Sequence, residues 1–119
     1  MTTEEIAKRL VELCRTGDYE TAQKELFAND AVSIEPVETP EFAKETKGLE
    51  AIISKGHKFS DMVEAMHGGS VSEPIVAGNS FAIILSMDMT MKGKGRMNMS
   101  ELCVYQVKDG KVVSESFHM

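Results

Sequence analysis

"ELCVYQVKDGKVVSESF", residues 101–117, decides the fold. Two runs of aromatic, β-branched and apolar residues flank Asp109-Gly110, and Asp-Gly at a two-residue loop is the strongest short-range signal for a type I′ hairpin. The turn pairs Lys108 with Lys111. Carried down both strands without interruption, the same register pairs Tyr105 with Ser114, Cys103 with Ser116 and Glu101 with His118. Upstream, "SFAIILSMDMTM" (80–91) and "RMNMSELCVYQV" (96–107) read as long strands joined by "KGKG" (92–95). A symmetric loop there sets Met99 opposite Asp88 and Glu101 opposite Ser86. "SVSEPIV" (70–76) reads as a further strand, which Pro74 confines to an edge or a bulge.

The N-terminal half has a different period. Thr2 and Glu5 have capping-box spacing, and Ile6, Leu10, Leu13 and Cys14 then recur at helical intervals up to Gly17. Asp18 can cap a second helix whose apolar side holds Tyr19, Ala22, Leu26 and Phe27, with Asn29-Asp30 as its stop. A short strand, "DAVSIEP" (30–36), follows, and a third helix is read over residues 48–66, with Leu49, Ile52, Ile53, Gly56 and Phe59 on one side. Helices first and an antiparallel sheet after is the α+β pattern.

A chain of 119 residues suits one domain, with 42% hydrophobic and 27% charged residues. The net charge of −6 and the lack of a basic run argue against nucleic acid and anionic membrane as partners. The N-terminus carries no apolar stretch long enough for a signal peptide, and no segment could span a bilayer, so a cytoplasmic protein is expected. Cys14 and Cys103 lack metal-type spacing and read as buried free thiols.

Alternation along the strands sorts the sheet into two faces. One carries Ile84, Ser86, Asp88, Glu101, Cys103, Tyr105, Ser114, Ser116 and His118. The other carries Phe81, Ile83, Leu85, Met87, Met89, Leu102, Val104 and Phe117. The first face is half-apolar and dotted with titratable groups, as a pocket wall is. The second is a contiguous apolar surface. A homodimer is therefore expected through Phe81, Ile83, Leu85, Met87, Leu102, Val104 and Phe117.

With the order of elements in place, the chain resembles SnoaL-like domains of the nuclear transport factor 2-like superfamily. The resemblance spans all 119 residues. It rests on "TGDYETAQKELFANDAVSIEP" (16–36), on "KGLEAI" (47–52) and on the tail "ELCVYQVKDGKVVSESF". It implies three N-terminal helices wrapped on a curved antiparallel sheet, a cone-shaped, cystatin-like α+β barrel around a cavity, often dimeric. Members include cyclases, isomerases, dehydratases and non-catalytic partners, so the fold leaves the function open. "SIEPV" (33–37) is similar to the ketosteroid isomerase stretch in which an acid directly before Pro-Val is the general base, and Glu35 stands at that position. Leu10 falls where that isomerase has its tyrosine donor, and Cys103 near its protonated acid, so steroid isomerisation is not expected.

The expectation is a pocket for a small, largely apolar organic molecule. Any chemistry would be cofactor-free isomerisation, cyclisation or dehydration beside a carbonyl. Glu35 is the candidate base, with Asp88, Glu101 and His118 as polar partners. Ser86, Cys103, Tyr105, Ser116 and His67 are candidate ligand contacts. A metal site drawn from Asp88, Glu101 and His118 has no supporting ligand motif, and no metal is expected. The alternative is a ligand-binding or dimeric assembly module without turnover.

Overall fold

The computed structural model describes residues 1–119. Helix α1 (Thr3–Arg15) begins at the expected capping box: the Glu5 backbone N–H donates to Thr2 Oγ1 at 3.1 Å, and the Thr2 backbone N–H donates to Glu5 Oε1 at 2.8 Å. It ends where Gly17 adopts a φ of 78° and Asp18 N–H donates back to Leu13 O. Asp18 precedes α2 (Tyr19–Leu26) but makes no side-chain cap; its carboxylate accepts from the Thr16 hydroxyl instead. Strand β1 (Phe27–Ile34) follows at once, running through Asn29 and Asp30. A short β2 (Glu45–Lys47) leads into α3 (Leu49–Met62).

Helix α3 stops four residues before the reading from periodicity, and Val63–Val71 is strand β3. Gly68 and Gly69 read as punctuation in the sequence; in the fold Gly69 lies in the ladder opposite Met87. A Cβ at Gly69 would sit 2.8 Å from the Ser86 carbonyl oxygen, so the glycine permits a close approach of two strands. Gly69→Ala should cost about 1–3 kcal/mol by overpacking. Gly68→Ala meets no atom within 4 Å and should change stability by about 0.5 kcal/mol or less. Equal effects in urea denaturation would contradict this assignment.

Pro74 separates β3 from β4 (Ile75–Ala77), and β5 (Ser80–Met91), β6 (Gly95–Lys108) and β7 (Lys111–His118) complete a sheet of order β2-β1-β7-β6-β5-β3, with β4 also on β5. The sheet is mixed and open, because β1 runs parallel to β7 and the outermost strands do not pair with each other. The expected wholly antiparallel, barrel-like sheet is corrected in both respects.

Two irregularities reset the faces. Asp109 and Gly110 have φ of 52° and 75°, the I′ signature, and Lys108 does pair with Lys111. The register then slips at Val113: Gln106 meets Ser114, Tyr105 meets Glu115, Cys103 meets Phe117 and Leu102 meets His118. At the other hairpin Met91 pairs with Gly95, which sets Ser86 opposite Ser100 and Asp88 opposite Asn98. Glu101 and His118 are therefore not partners and project from opposite faces.

The three helices cover the inner face, which carries Phe81, Ile83, Leu85, Met87, Met89, Cys103, Tyr105, Val107 and Val112, all buried. Tyr105 stacks on Phe81, with ring centroids 4.8 Å apart, and meets Phe27 edge-on at 6.4 Å. Phe81, Ile83, Leu85 and Met87 are thus core, and the homodimer face assigned to them is corrected. Leu102 and Val104 lie on the outer face, where Ile84 and Leu102 are 51% and 42% exposed. No helix is long and apolar enough to cross a membrane.

Candidate functional site

Where β1, β7, β6 and α3 meet, the inner face turns polar. Ala31 and Ser33 point inward from β1 and are fully buried, and alternation carries Glu35 to the same side. Pro36 holds the backbone of Glu35 extended, and the Glu35 N–H donates to Lys44 O at 2.7 Å. Ser33 pairs in register with Glu115, which is 4% exposed and accepts a hydrogen bond from the Ser33 hydroxyl.

Lys55 comes from above. It stands three residues after the buried Ile52 on α3, and its stem follows the helix flank inward. Its ammonium lies 2.6 Å from Ser33 Oγ and 2.8 Å from Glu35 Oε2, with 15% and 22% exposure for the two side chains of the ion pair. It also sits 5.5 Å above the centroid of the Phe117 ring. Glu101 completes the group from β6; its Oε1 accepts from the Cys103 thiol at 3.8 Å.

Of the three carboxylates, Glu35 alone is bonded to the Lys55 ammonium; Glu101 and Glu115 feel its charge without a bond to it. Burial pushes the Glu101 carboxyl up to about 7, and the negative charge of Glu35 adds to it, while the Cys103 hydrogen bond and Lys55 pull the other way. Burial also raises Glu115, against the hydrogen bond from Ser33 and the charge of Lys55. The thiols are not activated: burial raises Cys14 to about 12 and raises Cys103 as well. Such an arrangement can hold one extra proton near neutral pH and place a fixed cation beside it.

The sign of the pH dependence follows. Glu101 takes its proton more readily folded, at about 7, than at its ordinary 4.5. Its stabilising contribution is present below 4.5 and lost as pH rises through 7. Discounted for partial exposure, the loss is about 1–2 kcal/mol. Glu101→Gln should be the more stable protein at pH 8 by that amount and should flatten the profile. Wild-type stability that is level or rising from pH 5 to 8 would exclude this.

Of the residues read from the sequence, Glu35 and Glu101 join the cluster, with Cys103 beside them. Tyr105 is buried among core aromatics. The others lie on the outer face. Asp88 is held in a two-bond ion pair by Arg96, at 3.0 and 2.8 Å, which lowers its pKa. His67 bonds Thr90, Ser86 bonds Ser100, and Ser116 bonds His118. No group of three His, Cys, Asp or Glu side chains is disposed to hold a metal ion.

Ser33, Lys55 and Glu115 were missed. The slip at Val113 hid Glu115, and helical periodicity put Gly56 on the side where Lys55 reaches in. The apposition of "SIE" to a helix lysine leaves no local signal. A cleft of about 220 Å³ beside Lys55 is lined by residues including Phe42, Ser54 and Lys58. A second, of about 600 Å³, lies at the N-terminus and the β6–β7 turn. Neither is lined by Glu35, Glu101, Cys103 or Tyr105.

A family model described as the SnoaL-like domain matches residues 1–119. A Mesorhizobium loti protein of known structure, provisionally named a SnoaL-like polyketide cyclase with carbohydrate phosphatase given beside it, is 38% identical over 100% of both chains, with a TM-score of 0.93. IdmH from Streptomyces antibioticus, provisionally named a polyketide cyclase, is 21% identical over 99% of this chain and 91% of its own, with a TM-score of 0.73. A Xanthomonas campestris protein of unknown function with a cystatin-like fold is 18% identical over 98% and 89%, with a TM-score of 0.80. The last two likenesses establish the fold alone. No curated protein matches the chain.

Proposed function

The chain belongs to the SnoaL-like domain family, and from that premise we propose that it is a cofactor-free proton-transfer enzyme of the cyclase or isomerase type. Its substrate would be a small organic molecule with an acidic C–H next to a carbonyl. The observation that carries this reading is the part-buried Glu35–Lys55 ion pair, with Glu101 and Glu115 on the same inner sheet face, their pKa values raised by burial and by the charge of Glu35. A Glu35 carboxylate removes the proton, the C–H electron pair becomes the C=C bond of the enolate, and the carbonyl π pair moves onto oxygen. The Lys55 ammonium stabilises that oxyanion. Glu101, protonated at the outset, gives its own proton to the new carbon as the carbonyl re-forms, and the proton left on Glu35 returns through solvent to Glu101 to restore the starting state.

The test is hydrogen–deuterium exchange. A panel of small ketones, esters and β-dicarbonyl compounds is incubated with the protein in D2O, and loss of α-proton signals is followed by NMR. Exchange above the buffer rate that depends on Glu35 supports the reading. No exchange with any compound, or equal exchange by Glu35→Gln, removes it.

The second reading, a dimeric assembly module without turnover, draws on the exposed Ile84 and Leu102 of the outer sheet face. Leu102→Glu should convert such a dimer to a folded monomer in light scattering. A wild type already monomeric at high micromolar concentration would end that reading.

A further inference from the structure

The 220 Å³ cleft lies between residues 41–46 and α3. Lys55 and Lys58, three residues apart on α3, both line it. Phe42 forms the opposite wall, and Lys58 Nζ lies 5.4 Å from its ring centroid while donating to Glu41 O. Thr46 and Ser54 add hydroxyls. The cleft's own acid is drawn away, because the Glu41 carboxylate faces Lys94 at 3.8 Å. In a chain of net charge −6, this wall is locally cationic. Lys55 has three N–H donors, and Ser33 and Glu35 take two of them. One N–H of the cation that Glu35 holds remains for a ligand.

We propose that this cleft binds a small organic carboxylate with a planar apolar body, its carboxylate between Lys55 and Lys58 and its ring against Phe42. The volume lies below the roughly 300–1,000 Å³ of sites for drug-sized ligands, which limits the body to about one ring. The cleft adjoins the Glu35–Lys55 pair without being lined by Glu35, so this site lies beside the proton-transfer function and does not rest on it. The binding itself requires no turnover.

The experiment is a titration of the 15N-labelled protein at pH 7 and low salt, with benzoate as probe and benzamide as its uncharged counterpart. Benzoate should move the amide signals of Phe42, Thr46 and Ser54 to Lys58 saturably, and benzamide should bind roughly tenfold more weakly or worse. Lys58→Glu should abolish benzoate binding while its spectrum remains that of a folded protein, and Phe42→Ala should weaken it. Glu35→Gln, which releases Lys55 from its ion pair, should bind benzoate more tightly. Equal binding of the two probes, shifts centred elsewhere, or a Lys58→Glu protein with unchanged affinity would overturn the proposal. Benzoate binding without any carbonyl exchange keeps the cleft and removes the proton-transfer reading. Glu35-dependent exchange without benzoate shifts does the reverse.

Discussion

Replacing Glu35 by Gln should lower the proposed proton transfer by roughly 10²- to 10⁴-fold, the usual contribution of a positioned general base. Gln is close in shape and can still accept from Lys55, so Ser33, Lys55 and Phe117 should keep their places. The fold should survive for an electrostatic reason too. The charge of Glu35 opposes those of Glu101 and Glu115, and removing it relieves that repulsion. The same change should lower the Glu101 pKa from about 7, because Glu35 is one of the groups raising it. A 13C carboxyl titration reads this directly and needs no substrate. A Glu35→Gln protein with full exchange activity would contradict the assignment of Glu35 as base. An unchanged Glu101 titration would contradict their coupling.

Inserting one alanine after Val113 should destabilise the protein by about 3–5 kcal/mol. The extra residue lets β7 change pleat, so that Val112 faces inward and Glu115 and Phe117 do as well. With a second extra residue there, Ser114, Ser116 and His118 would be driven inside and Phe117 would turn out. The loss combines an aromatic withdrawn from packing and polar groups buried without partners. Val113→Ala keeps the residue count and should cost no more than about 1 kcal/mol, since Val113 is only half-buried. An insertion no worse than the alanine variant in urea denaturation would mean that β7 adapts freely to either pleat.

Val113 also explains how far the sequence could be read. The three helices, the Asp109-Gly110 turn and the long strands follow from local chemistry: a capping box, a heptad-like apolar stripe, a turn demanding positive φ. Pairing of Lys108 with Lys111 was legible for that reason. The face assignments were not, because a single unpaired residue reverses alternation beyond it and no residue type marks the slip. β3 was hidden by Gly68-Gly69, which punctuates in most contexts but here relieves contact with Ser86. Glu35 was found through its proline. Glu101 was found with the wrong partner, and Lys55 and Glu115 depended on long-range packing that local patterns do not encode. Asp88 illustrates the opposite error: an acid within an apolar run turned out to be an outward residue held by Arg96.

The parallel contact between β1 and β7 sets the order in which the site can come into being. Ser33 and Glu115 are 82 positions apart along the chain (115 − 33) yet adjacent in the sheet. Closing so long a loop is entropically unfavourable until intervening strands have condensed. During synthesis β1 leaves the ribosome early and waits, with one edge unpaired, while β3 to β6 are made. Lys55 and Glu35 can meet before then, but Glu101 and Glu115 gain their buried surroundings only when β7 docks. The proton-holding cluster is thus a late acquisition of folding, and an intermediate lacking β7 would contain all three helices and most of the core with that cluster still unassembled.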